Sequence, residues 1–186
     1  MRRLITNLII VLISIISLFL SIKSLLSNDI VNFLKTLLVI PVLLIPKKLV
    51  KKQIVSYDLY FLYVLFIFFA YFLGCIINFY GIIKIYDTLM HFLSGIFISY
   101  LALDLLKYLK VYKKNNVIHT TLFIVGIVSL SAVIWESFEF ICNILFKTDP
   151  QNVLTTGVTD TMKDIIIALI GSLIVSFKLS YDVLKK

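Results

Sequence analysis

Cysteine is nearly absent. The 186 residues hold two, Cys75 and Cys142, with no CxxC spacing, and each lies inside an apolar run. That excludes a CxxC redox or zinc motif, and small buried hydrophobes are the expectation for both. A disulfide between them is unsupported by anything in the sequence. Arginine is as scarce. Arg2 and Arg3 are the only two and sit together at the N-terminal end, so no phosphatase signature carrying arginines is present. No nucleic-acid motif and no long basic stripe accompanies the net charge of +8, which excludes that use of the charge. There is no internal repeat, no low-complexity tract and no stretch with the composition of a soluble domain.

What the chain has in excess is hydrocarbon. It is 61% hydrophobic, with fifteen Phe and a mean hydropathy of +1.06; a globular domain runs at about 45–50%. So much apolar surface does not fit inside one soluble core of this size. The expected class is an all-α polytopic membrane protein, a single integral membrane domain over residues 1–186, built from about six spans. These are expected at 4–22, 30–45, 57–80, 87–109, 117–146 and 160–179. The first apolar run exceeds the ~7–15 residues of a signal-peptide core and no A-x-A-like site follows it, so it reads as a span. The second is short, about 24 Å of helix against a hydrocarbon layer of about 30 Å, and ends near Pro41 and Pro46. Its Lys35 is expected to snorkel to the outer interface, with pairing to an acidic site as the alternative. Pro46 to Gln53 reads as a basic loop. Tyr57, Tyr60 and Tyr80 suit the interfacial aromatic belts. Gly81 to Tyr86 reads as a tight turn, Lys110 to Asn116 as a polar, basic loop, and Lys147 to Thr159 as the longest loop.

Orientation follows from the basic residues. With the N-terminus inside, the inner segments carry Arg2 and Arg3, Lys47, Lys48, Lys51 and Lys52, Lys107, Lys110, Lys113 and Lys114, and Lys178, Lys185 and Lys186; the outer side carries Lys23, Lys84, Lys147 and Lys163. That asymmetry predicts six spans with both termini cytoplasmic.

Three apolar stretches carry ionisable groups. YDTLMHFLSG, Tyr86 to Gly95, holds Asp87 and His91; WESFEF, Trp135 to Phe140, holds Glu136 and Glu139; DTMKD, Asp160 to Asp164, holds Asp160 and Asp164. Each pair is three or four residues apart, the spacing that shares one helix face. The topology, set by basic residues alone, places all six groups in the outer half of the membrane. A charge near a span's centre costs about 2.5–3.5 kcal/mol even on the lenient scale, so these groups are expected to face each other, a cavity or a cation. Five carboxylates and one imidazole do not neutralise one another. Either several carry protons or a cation is bound. An oxygen-rich set with one nitrogen suits Mg²⁺, Mn²⁺ or Ca²⁺, and a subset of His and carboxylates suits Zn²⁺.

Each group also has a structural use. Asp87 and Asp160 precede apolar runs and read equally as helix N-caps. His91 alone reads as a packed, hydrogen-bonded histidine. Glu136 and Glu139 resist such a reading, because a buried pair of like charges serves no packing purpose. Lys163 is expected to point off the Asp160–Asp164 edge toward the outer interface. Asp104 and Lys107 read as an interfacial pair, and His119 as interfacial. Gly95, Gly171 and Ser172 are small enough to let helices approach closely.

The run YDTLMHFLSG, then WESFEF, then DTMKDIIIALIGSLI resembles the YjdF-like family of small uncharacterised bacterial inner-membrane proteins. More distantly it is similar to the VanZ-like group, which has an Asp-x-x-x-His on one helix, a later Glu, and an Asp before a closing Gly-rich helix. The resemblance covers residues 57–178 and marks Asp87, His91, Gly95, Glu136, Glu139, Asp160, Asp164 and Gly171. Many YjdF-like members have a longer Gly- and Asp-rich loop before the last helix; Thr156 to Thr159 is shorter here and carries no acid. The resemblance implies the bacterial cytoplasmic membrane and, through the VanZ-like group's association with glycopeptide resistance, hints at envelope lipids.

The expected function is therefore a divalent-cation site of Asp87, His91, Glu136, Glu139, Asp160 and Asp164 opening to the extracytoplasmic side. The bilayer is the partner, and an anionic lipid or envelope precursor is the candidate ligand of the cation. Were the site catalytic, metal-assisted phosphoester hydrolysis or transfer fits best, with Glu136, Glu139 and His91 as candidates and a glutamate as general base. Two rivals stand beside it: a proton- or ion-coupled carrier with the glutamates as relay, and a structural or assembly protein whose polar network locks the helices.

Overall fold

The computed structural model describes residues 2–113, 116–147, 149–151 and 153–185. Lys114 and Lys186, counted among the inner basic residues, lie outside the described residues, as do Thr148 and Asn152 of the longest loop. Among the described residues all regular structure is helical, and the chain forms two compact units, Met1–Tyr86 and Asp87–Lys186.

The first unit contains α1 (Arg2–Leu26), α2 (Ile30–Leu44), the short α3 (Lys47–Lys51), α4 (Tyr57–Ile67), a π-helical continuation π1 (Phe68–Ile76) and the single-turn α5 (Phe79–Ile82). A tight turn at Ser27–Asp29 reverses α1 into α2. Asn28 takes the left-handed conformation (φ 55°), and Asp29 caps α2 by accepting the Asn32 N–H at 3.1 Å. The α1–α2 seam is polar and small: Ser21 Oγ and Thr36 Oγ1 stand 2.8 Å apart, buried beside Ser17. Lipid offers no hydrophobic drive for helix association, so such small, hydroxyl-bearing seams do that work in membranes. Arg2 pairs with Asp58, and Arg3 lies 5.2 Å over the Tyr57 ring, which sets the start of α1 beside the start of α4. The core around them is Ile10, Ile13, Val39, Leu43, Tyr60, Val64 and Phe72.

Four expectations change here. The basic loop after α2 contains a helix, α3. Tyr60 does not sit in an exposed interfacial belt. It is 1% exposed, and its hydroxyl donates to Leu43 O at 3.0 Å while Tyr63 donates to Val42 O at 2.8 Å. These are end carbonyls of α2, orphaned by helix geometry, and in hydrocarbon they need donors from protein. The third span changes period at Phe68. Gly74 in π1 packs against the Tyr80 ring so closely that a Cβ there would overlap it. Cys75 is exposed rather than buried and Cys142 is half-buried, and the two form no disulfide. Lys35 is exposed and forms no ion pair among the described residues.

The second unit contains α6 (Tyr86–Tyr108, whose first residue belongs to the first unit), α7 (Val117–Phe146), the short α8 (Val153–Thr156) and α9 (Thr159–Leu184). Asn116 caps α7 by accepting the His119 N–H at 3.2 Å, and Lys147 ends it in the left-handed conformation. Ala102, Leu103, Ile124, Val128, Ala132, Ala168 and Val175 form the core. The contact of α6 with α9 depends on two glycines. A Cβ on Gly95 would overlap the Ala168 carbonyl, and one on Gly171 the Phe92 carbonyl. Ser99 and Ser172 flank this crossing, fully buried, each donating to a carbonyl of its own helix. The long loop after α7 holds α8.

Five helical stretches are long and apolar enough to cross a membrane: Arg2–Leu26, Ile30–Lys51, Tyr57–Ile76, Tyr86–Tyr108 and Val117–Phe146. α9 forms over the sixth expected segment and extends to Leu184. Helices form over each of the expected segments, with α1 and α9 longer than those segments.

Candidate functional site

Helix geometry delivers the polar groups. Asp87 is the second residue of α6 and Asp160 the second of α9, so neither is the cap residue; both stand in the first turn, where an acid complements the helix dipole. His91 follows Asp87 by one turn and Asp164 follows Asp160 by one turn, each on the same face as its predecessor. The glycine crossing below them holds the two helices together.

Three of the six expected groups converge. His91 Nε2 lies 3.6 Å from Asp87 Oδ1 and 3.9 Å from Asp164 Oδ2, and one donor atom from each of the three residues lies within 4.8 Å of the others. Both separations exceed hydrogen-bond length. They match two donors on one cation, since ligands at 2.0–2.6 Å from a metal stand about 3–5 Å from each other. His91 and Asp164 are buried, while Asp87 stays partly open.

Glu136 adds to this group without entering the triad. It is 5% exposed. Its Oε2 accepts from Gln151 Nε2 at 3.1 Å, and the same amide donates to the Glu136 backbone carbonyl at 2.9 Å. Its Oε1 is buried and without a hydrogen-bond partner among the described residues, and Asp164 Oδ1 is in the same state. Asp87, Glu136, Glu139 and Asp164 lie within Coulombic range of one another. Glu139 is half-buried and turned to its own helix, accepting from Trp135 Nε1 at 2.9 Å. Asp160 faces Lys163, whose Nζ stands 3.9 Å from Asp160 Oδ1. Lys163 therefore does not point off that edge: three residues on in a helix, it reaches back over the preceding turn.

Two other expected positions are clear. Asp104 and Lys107 do pair, at 3.5 Å, with Asp104 buried. His119 is exposed in the first turn of α7. Gln151 was not among the expected residues. It reaches Glu136 from a loop fifteen residues on, a contact with no periodic trace in the sequence.

The apolar helices and the buried Asp–His–Asp group, with Glu136 beside it, define a multi-pass α-helical membrane protein with an acidic polar centre. The polar centre and all but the extreme ends of these helices fall within residues 5–183, which match the model of a family described as predicted membrane protein (DUF2238). The chain belongs to that family. No curated protein and no solved structure matches it.

Proposed function

We propose that the protein binds one divalent cation through Asp87, His91 and Asp164, with Glu136 as a third carboxylate at its edge. The observation that carries this reading is the cluster of donor atoms within 4.8 Å, two of its three residues buried. The unpartnered buried oxygens of Glu136 and Asp164 support it. A buried carboxylate oxygen without a donor costs about 1–3 kcal/mol or more, and a bound cation removes that cost. One imidazole among carboxylates favours Zn²⁺ or Mn²⁺ over Ca²⁺, which takes six to eight oxygens. Asp160 and Glu139 stand outside the coordinating set in this reading, each held by a neighbour.

The finer parts of the reading go with it. Six spans put both termini in the cytoplasm and the site at the outer face of a bacterial cytoplasmic membrane. Kinship to YjdF-like proteins, and at greater distance to the VanZ-like group, rests on Asp87-x-x-x-His91, Glu136 and Asp164. A cation at that depth suits the phosphate of an anionic lipid or envelope precursor. If the site is catalytic, Glu136 is the general base best placed for a metal-assisted phosphoester step. A second reading, proton coupling, takes its support from the same unpartnered oxygens, since protons would neutralise them too.

The test is the metal content of the purified, detergent-solubilised protein by elemental mass spectrometry, after loading with Mn²⁺ or Zn²⁺. About one equivalent is expected in wild type, with loss in Asp164→Asn and retention in Glu139→Gln. Absence of metal from the loaded wild type would overturn the cation reading and leave the proton one.

A further inference from the structure

The first unit carries a second polar centre, of opposite charge. Where α1 turns into α2, a cleft of about 300 Å³ opens between the last turns of α1, the first turns of α2 and the end of π1. Lys23 enters it from α1 and Lys35 from α2. Neither lysine forms an ion pair among the described residues. The cleft's one carboxylate, Asp29, is already committed: Asn32 donates to it through its backbone N–H at 3.1 Å and its amide at 2.7 Å. Those bonds hold Asp29 below the usual carboxylate range, so it stays ionised and fixed as the cap of α2. Two ammonium groups against one carboxylate, itself tied to Asn32, leave the cleft net positive.

Its other walls fit one kind of anion. Ser24 supplies a hydroxyl on the α1 side, while Ser27 and Thr36 line the cleft with hydroxyls that donate to carbonyls of the chain, Ser27 to Lys23 O and Thr36 to Asn32 O. Leu20, Ile76 and Ile77 form an apolar wall. Donors on one side and hydrocarbon on the other suit a phosphate that carries an alkyl chain. The position agrees, because the turn between two spans lies at headgroup depth. Lys35 in particular stands a turn and a half inside an apolar helix, where an ammonium needs water or an anion.

We propose that this cleft binds the phosphate of an anionic lipid headgroup through Lys23 and Lys35. The site is independent of the acidic centre in the second unit and does not rest on its reading. A phosphate oxygen accepts from each ammonium and from the Ser24 hydroxyl. The acyl chains run along the leucine and isoleucines.

Native mass spectrometry of the detergent-purified full chain tests it, with phosphatidylglycerol titrated against phosphatidylcholine. Wild type is expected to retain phosphatidylglycerol preferentially. Lys35→Gln and Lys23→Gln each weaken retention by about tenfold, the size of one charge-assisted hydrogen bond. Lys35→Arg keeps the charge and retains the lipid, and Lys178→Gln, elsewhere on the chain, leaves retention unchanged. On wild type alone, millimolar inorganic phosphate displaces phosphatidylglycerol if the phosphate is what is recognised. That measurement stands even where a glutamine variant fails to fold. Phosphate binding without lipid preference would keep the phosphate site and assign it a soluble ligand. Equal retention of the two lipids, with no effect of phosphate, would overturn the proposal.

Discussion

Gln151 shows how a single side chain can hold a charge in place. Its amide donates twice to Glu136, once to the carboxylate and once to the main chain, and both partners are buried. Gln151→Ala leaves Glu136 Oε2 without a donor beside an Oε1 that already lacks one. The expected cost is about 1–3 kcal/mol, or a fall of roughly 2–4 °C in melting temperature per kcal/mol for a chain of this length. Differential scanning fluorimetry in detergent reads it directly. An unchanged melting temperature would mean that the loop does not seat its glutamine on α7. Gln151→Glu sharpens the comparison, because it sets a second carboxylate against Glu136 and is expected to destabilise further unless metal is added. Glu139→Gln is the contrasting case. Its carboxylate is half-buried and takes its hydrogen bond from Trp135 four residues earlier, so the substitution changes metal content little. The sequence could not rank the two glutamates. Three-residue spacing puts both on one face, and only the burial of Glu136 and the loop contact separate them.

At the scale of elements, the α6–α9 crossing is what brings the ligands of two helices together. Gly95 lies one turn beyond His91, and Gly171 two turns beyond Asp164, each pressed on a carbonyl of the opposite helix. Gly95→Ala must therefore push the helices apart, and overpacking of this kind costs about 1–3 kcal/mol. The displacement falls where His91 Nε2 and Asp164 Oδ2 stand 3.9 Å apart. Weaker cation binding is thus expected in a variant that alters no ligand, read by metal titration with the unfolding midpoint as control. Gly126, with nothing within 4 Å of the position of a Cβ, is the matched control, and Gly126→Ala should bind as wild type does. Full metal affinity in Gly95→Ala would show that the crossing does not position the site. Helix existence was legible in the composition, because apolar length alone marks these segments. The small residues of the crossing were legible as small residues. The π-helical continuation of α4 was not, since FFAYFLGCI suits either period equally. The change is instead marked by tertiary contacts, with Tyr86 donating to Phe69 O at 2.8 Å and Tyr80 packed on Gly74.

For the whole molecule the number of crossings turns on the last helix, and it decides whether Asp164 stands inside the membrane. Within the first unit α1 and α4 start at the same end, as the Arg2–Asp58 pair requires, and α2 runs between them in the opposite sense. Within the second, the first turns of α6 and α9 share an end with the later part of α7, as the ligand cluster requires. Each unit thus runs in alternating directions, the order that six successive crossings produce. α9 is the element at issue. It has 26 residues, but Asp160, Lys163 and Asp164 occupy its first two turns. A helix that crosses must present those groups to the centre, and one that lies along the interface would present them to water. The basic asymmetry favours crossing, with Lys178 and Lys185 on the inner side. Reporter fusions separate the two outcomes. Alkaline phosphatase fused after Asn78 or Gly157 is expected to be active, and green fluorescent protein fused after Lys186 to fluoresce. An active phosphatase at the C-terminal end would make α9 a non-crossing helix. It would also remove the reason for Asp164 to be paired inside the membrane, because a carboxylate at the interface reaches water without a cation.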